Sequence, residues 1–293
     1  MIQFIKYRAV VAFGSFLFLG AFCVMAVRQY LDRGIVFSYS IDFTGGTQVL
    51  CKANVPVNVD DLMNALSTNG WLNADVRLFE NNEFMVKVQD FSNNPKGLAE
   101  KIRTVLEPVV QGPLEILQTE GVGAAVGESL RTKSFKAILI SLLAMLLYIA
   151  FRFWSVAFAL GAVFALLHDS IAMLAMLFFF DKEISMNVIA AILAVLGYSI
   201  NDTIVIFSRI RQDLARRKNQ DLADVVNESI NRTLTRTILT SLSTILPVLA
   251  MFLFGGKALH TSSFALLVGI LFGTYSSIYI ASPIMMLFYR EPR

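Results

Sequence analysis

The chain has 293 residues, 56% of them hydrophobic and only 16% charged. A soluble domain carries about 25% charged residues, so the composition marks an integral membrane protein. The formal net charge of +3 is too small to suggest a nucleic-acid partner. The charges are unevenly placed. Residues 32–120 hold seven Lys/Arg against twelve Asp/Glu, whereas residues 209–236 hold seven Lys/Arg against four Asp/Glu. One polar face is therefore acidic and the other basic. Cys23 lies in an apolar run and Cys51 in a polar region, so no disulfide framework is expected.

Lys6 and Arg8 precede an apolar run from Ala9 to Val27, the first expected transmembrane helix. No small-residue cleavage site follows it, so it reads as an uncleaved anchor. Basic residues at its start favour a cytoplasmic N-terminus. About a hundred residues outside the membrane follow. In them 48–52, 75–79, 84–88 and 114–118 read as strands, and 60–66 and 95–106 as helices. Gly70 stops the first of these helices, and Glu80–Glu83 reads as a hairpin turn. The order βαββαβ predicts a ferredoxin-like α+β domain. It carries no His/Cys cluster, phosphate loop or nucleophile–base pair, so it reads as a binding or lever module. Gly121 to Gly127 forms a small-residue connector back to the membrane, either a plain linker or a hinge.

Five more apolar segments follow, near 134–151, 156–180, 185–207, 236–254 and 264–288. The whole is thus an α-helical polytopic membrane protein with six transmembrane helices and one external α+β domain between helices 1 and 2. The expected division is 1–29 for the N-terminus and first helix, 30–130 for the external domain and 131–293 for the remaining bundle. A polar cytoplasmic loop is expected over 209–235, with Arg216–Arg217–Lys218 at its centre. With Arg290 and Arg293 at the chain's end, the basic residues place both termini and this loop in the cytoplasm. Arg131, Lys133 and Lys136 fall on the outer side, where charges beside a long translocated domain weigh less.

The polar residues inside the apolar segments carry the functional reading. Asn201 and Asp202 follow the wholly apolar run Val188–Leu196. A mid-membrane carboxylate costs several kcal/mol unless paired, wet or protonated, so such acids are functional by default. The alternative is a neutral structural carboxyl bonded to neighbouring hydroxyls. The third segment carries His168–Asp169, read as a proton relay or, for the histidine, as a satisfied interior side chain. The fifth begins with Arg236, which either pairs reversibly with Asp202 or snorkels to the headgroups. Arg236, Thr240, Ser243 and Pro247 share one face, expected to point into the bundle. Gly269 and Gly273 form a GxxxG for helix packing, and Gly197 is a further packing candidate.

The motifs, in order, resemble the SecD/SecF family of the bacterial Sec secretion accessory complex, on its SecF side. The resemblance rests on Asp42–Phe43–Thr44–Gly45–Gly46–Thr47, Val122–Gly123 with Val126–Gly127, Phe151–Arg152–Phe153 and His168–Asp169. It rests most on Gly197–Tyr198–Ser199–Ile200–Asn201–Asp202–Thr203, Arg209–Ile210–Arg211, Arg236–Thr237 and Leu253–Phe254–Gly255–Gly256. Two positions depart: Gly123–Ala124–Ala125 replaces the usual Gly-Pro-Ser, and Ser208 stands where an Asp is common. The resemblance implies an RND-type transporter of the inner membrane, in which a proton gradient moves large external domains. It implies SecD, the SecY-containing channel and an exported preprotein as partners. Asp202 and Arg236 match the family's proton-pathway acid and basic partner. Asp42, Gly45, Gly46, Gly123 and Gly127 lie at the two domain junctions, where glycines suit a hinge.

The leading expectation is a proton-driven subunit for protein export, with protons as coupling ion and no cofactor or metal. An RND-like exporter of small amphiphiles or lipids would want a larger external domain with an apolar pocket. A purely structural assembly subunit would be indifferent to neutralising Asp202. An ATPase or hydrolase is disfavoured, since no phosphate loop or nucleophile constellation is present.

Overall fold

The computed structural model describes residues 1–72, 74–79, 81–91, 94–217 and 220–289. Glu80, Lys218, Arg290 and Arg293 lie outside the described residues. The chain divides into two compact units, Tyr39–Phe135 and the remainder.

The smaller unit opens with α2 (Ile41–Thr44) and β1 (Gly46–Ala53), followed by α3 (Val59–Thr68), β2 (Asp75–Leu78) and β3 (Glu83–Val88). It continues with α4 (Pro95–Val110) and β4 (Leu114–Val122). The four strands form one sheet in the order β2-β3-β1-β4, every neighbouring pair antiparallel. Alternation of apolar residues in the strands puts Val49, Cys51, Phe84 and Val86 on one face. Leu62 and Leu66 of α3 and Ile102 and Leu106 of α4 cover that face, and all eight are fully buried. Burial of each such side chain contributes about 1.5–3 kcal/mol. Asn58 and Asn94 cap α3 and α4 by accepting from Asp60 N and Gly97 N. In the β2–β3 turn, Asn81 and Asn82 both take positive φ, a conformation asparagine tolerates.

Among the described residues, six helices are long and apolar enough to cross a membrane. They are α1 (Arg8–Arg33), α5 (Ala124–Phe153), α6 (Val156–Phe179), α7 (Met186–Arg216), α8 (Leu222–Phe254), and the pair α9 (Gly256–Ser276) and α10 (Ser282–Phe288). A π turn, Ser277–Ala281, joins the last two. Among these, α9 is central and packs against α6, α7 and α8. It can approach α7 closely because Gly269 lies on Val195 and Gly273 on Ser199. The π turn approaches α6 in the same way: a Cβ at Gly161 would sit 2.6 Å from the Ala281 carbonyl oxygen.

Two expectations about connections are corrected. Residues 209–235 are not a polar loop; α7 and α8 continue through them and only residues 217–221 intervene. Buried Asp213 ties the two extensions together, accepting from Arg209 Nε at 2.9 Å and Ser229 Oγ at 2.9 Å. Glu228 pairs with Arg217 and Arg232. Asp221 caps the start of α8 by accepting from Ala223 N. The N-terminus docks on this hairpin: Asn227 and Asn231 both donate to the Ile2 carbonyl. The connector Gly121–Gly127 is likewise not a linker. Gly121 and Val122 end β4, paired with Thr47 and Gly46, and Ala124–Gly127 is already the first turn of α5.

Candidate functional site

Inside the helical unit two neighbouring clusters of buried polar residues surround the acids Asp169 and Asp202. The first surrounds Asp169 on α6, which is 0% exposed. Its Oδ2 accepts from Ser199 Oγ of α7 at 2.6 Å and from Ser276 Oγ of α9 at 2.8 Å. Its Oδ1 lies 3.4 Å from His168 Nδ1. Three helices thus converge on one carboxyl. The other imidazole nitrogen, His168 Nε2, is buried without a partner.

The second cluster surrounds Asp202, one helical turn from Ser199 and 4% exposed. Asp202 Oδ2 has no hydrogen-bond partner, and neither has Thr237 Oγ1 of α8. Beside them Tyr198 donates to Ser241 Oγ at 3.0 Å, and Ser241 bonds Thr274 Oγ1 of α9 at 2.7 Å. So α7 and α9 each place one hydroxyl residue in either cluster: Ser199 and Ser276 in the first, Tyr198 and Thr274 in the second. A buried polar atom without a partner costs about 1–3 kcal/mol. One acid is saturated with donors, and the other has an oxygen free to change its partner or its proton.

The expected Asp202–Arg236 ion pair is not formed within 4.0 Å, and Arg236 is exposed. The expected buried face of the fifth span is also rotated. Thr233, Thr237 and Ser241 are buried, and these, rather than Arg236, Thr240, Ser243 and Pro247, face α7 and α9. Spacings of four keep the buried stripe on one side of the helix, and the stripe predicted from Arg236 sits beside it on the uncovered side. Asn201 is exposed, not part of the buried cluster. Gly197 has nothing within 4 Å of a built Cβ, so it packs against no other part of this chain; with Ala190, Ala194 and Asn201 it lies on the uncovered side of α7. Gly269 and Gly273, by contrast, are in tight contact with α7.

At the domain junctions the glycines are packed. Gly45 and Gly46 have φ of +73° and +117°. A Cβ on Gly45 would lie 2.7 Å from Ala124 Cα, and one on Gly46 would lie 2.3 Å from the Val88 carbonyl oxygen. Gly127 fits against Phe43 and Gly45, and Gly123 lies near the Phe91 ring. Asp42 stands in the α2 turn and accepts from Ser40 Oγ at 3.0 Å. The segments entering and leaving the sheet are therefore clamped to each other. Ser276 and Thr274 escaped the reading of the sequence. Their cue was spacing, since Gly269–Gly273 already marks the α9 face that meets α7, and Ser276 follows at i+7 and i+3.

Six apolar helices around buried ionisable residues, with a small antiparallel sheet inserted after the first, define a multi-pass membrane protein. Residues 101–291 match the family described as "Protein export membrane protein SecD/SecF, C-terminal". The chain is 40% identical over 266 residues to the protein translocase subunit SecF of Pseudomonas aeruginosa, covering 90% of this chain and 85% of that one. It is 38% identical to the SecF of Vibrio alginolyticus, covering 85% of this chain and 79% of the relative. It also resembles the crystal structure of SecDF, a translocon-associated membrane protein from Thermus thermophilus, with a TM-score of 0.85 at 35% identity. That match covers 98% of this chain but only 38% of the SecDF chain. SecDF in a form titled super-membrane-facing matches with a TM-score of 0.68 at the same 35% identity. The chain belongs to the SecF family of protein translocase subunits.

Proposed function

We propose that this chain is the SecF half of a SecD–SecF unit that uses the proton motive force to draw preproteins out of the SecY-containing channel. The observation that carries this reading is Asp202, a buried acid with an unpartnered oxygen beside a chain of hydroxyls. A carboxyl so placed can take a proton, or meet an approaching guanidinium, without first breaking an existing hydrogen bond. Asp169 of α6 accepts from Ser199, one turn before Asp202 on α7, so a change at Asp202 is transmitted to a second buried acid. His168 adjoins that acid and completes the proton pathway. Protons are the coupling ion; the chain is not an enzyme and takes no cofactor.

The uncovered sides of α7 and α8 support a second bundle. Gly197 and Asn201 on one helix, and Arg236, Thr240 and Ser243 on the other, put small and polar groups where lipid would otherwise lie. Polar side chains in membrane helices face protein or water. SecD is the partner this reading assigns to that face, and closing it would bring Arg236 nearer Asp202. The strand order supports a ferredoxin-like domain, which this reading places outside the inner membrane, with both termini cytoplasmic. The two SecDF structures match this chain with TM-scores of 0.85 and 0.68, which supports a SecDF architecture that takes more than one form. Because Gly45 and Gly127 are locked together here, the junction moves as one body in this mechanism.

The test is complementation in bacterial cells depleted of their own SecF. Asp202→Asn, accumulated and assembled at the normal level, should fail to restore export. Restoration at the level of the unaltered chain would leave only a structural role.

A further inference from the structure

Helix α1 leans on the bundle along one side, and a groove of about 710 Å³ lies between it, α6 and the π turn with α10. The lining is almost wholly hydrocarbon, with Phe16 and Leu19 on α1, Leu167 and Ile171 on α6, and Ile284 and Leu287 on α10. Four polar side chains line it, Arg8, Ser15, His168 and Tyr279, and two of them mark its extent. Arg8, the first residue of α1, lines one end, and His168, in the middle of α6, lines the deep wall. His168 is 7% exposed and its Nε2 is unpartnered.

We propose that this groove is a binding site for one anionic phospholipid, an acyl chain lying along α1 and α6 with its phosphate on Arg8. Three observations commit it to that occupant. The first is depth. From Arg8 to Leu19 is about 16 Å along a helix, close to half of a hydrocarbon core of about 30 Å. The groove therefore runs from the membrane surface to the midplane, the reach of one leaflet. The second is lining. An apolar gap open toward lipid gains dispersion contacts when hydrocarbon fills it and forfeits them when empty. Its volume is that of an ordinary small-molecule pocket. The third is charge. Arg8 is exposed and forms no ion pair with a carboxylate among the described residues; its guanidinium only touches Met286 Sδ at 3.9 Å. A guanidinium so placed offers a bidentate fork to phosphate. Lys6, two residues earlier and also exposed, adds positive charge near the same end and disfavours a choline headgroup.

The site is tested on the full chain, with whatever partner co-purifies, extracted from vesicles of equal phosphatidylglycerol and phosphatidylcholine. Retained lipid is read by native mass spectrometry. The unaltered chain should keep one phosphatidylglycerol with at least fivefold preference. Arg8→Gln should bring that preference to parity. Ala12→Leu and Ile171→Trp, which fill the groove, should lower retention of both lipids, the larger side chain more; the milder variant guards against misfolding of the other. An unchanged preference in Arg8→Gln, or unchanged retention in both filled variants, overturns the proposal. So does full competition by soluble glycerol phosphate, which would show a headgroup site without the groove.

Discussion

Asp169 and Asp202 show how two like residues on neighbouring helices acquire different surroundings: one accepts from two serines, the other has an unpartnered oxygen. Asp169→Asn keeps the shape but turns one oxygen into an amide that cannot accept. With the amide nitrogen toward them, Ser199 and Ser276 must turn their protons away and accept instead of donate, at a cost of about 1 kcal/mol per bond weakened. The variant should unfold at a lower temperature in a thermal scan in mild detergent. Asp202→Asn has no such bond to lose and should unfold close to the unaltered chain. Equal destabilisation by both would mean the two sites are alike. Cys51, in the sheet, offers a separate check on the smaller unit. Burial pushes its thiol up to about 12. The unfolded thiol ionises near 8.5, so the unfolded state gains first as pH rises. Stability from this group is complete below about pH 8.5 and is lost between there and about 12. In the folded chain at pH 8 the thiol should resist alkylation until denaturant opens the sheet; fast labelling of native protein would contradict the packing.

At the scale of helices, the controlling contact is α9 against α7. A Cβ at Gly269 would lie 2.5 Å from a Val195 methyl, and one at Gly273 would lie 3.0 Å from Ser199 Cβ. Gly269→Leu should therefore cost about 1–3 kcal/mol as the helices separate, measured as a lowered unfolding midpoint. It should also disturb the Ser199–Asp169 bond, which sits one turn along the same interface. Gly197→Ala, on the uncovered side of α7, should leave the isolated chain's midpoint unchanged. Periodicity made the spans and the strand and helix order of the smaller unit readable in advance. It failed in two places for identifiable reasons. Residues 209–235 are rich in Arg, Asp and Glu, and that polarity masked Leu214, Leu222, Val225, Val226 and Ile230, which carry a helical stripe through it. On α8, hydroxyls occur on two adjacent faces, so composition could not tell which one turned inward. Pairing distances were beyond reach as well, since whether Arg236 meets Asp202 depends on the rotation of α8 about its own axis.

At the scale of the molecule, the proposed function would join a buried proton site to a domain that moves outside the membrane. The topology is checked first. A cysteine at Asn82, half-buried between β2 and β3, should react with an impermeant thiol reagent added to intact spheroplasts. Labelling only after the membrane is broken would place that domain on the other side. The coupling itself is tested most directly in inverted membrane vesicles carrying either the unaltered chain or Asp202→Asn in a normally assembled complex. Preprotein translocation is measured in each with and without an imposed proton gradient. The account predicts that the gradient stimulates translocation with the unaltered chain, and that Asp202→Asn abolishes this stimulation while gradient-independent translocation persists. Full gradient stimulation with Asp202→Asn would contradict it.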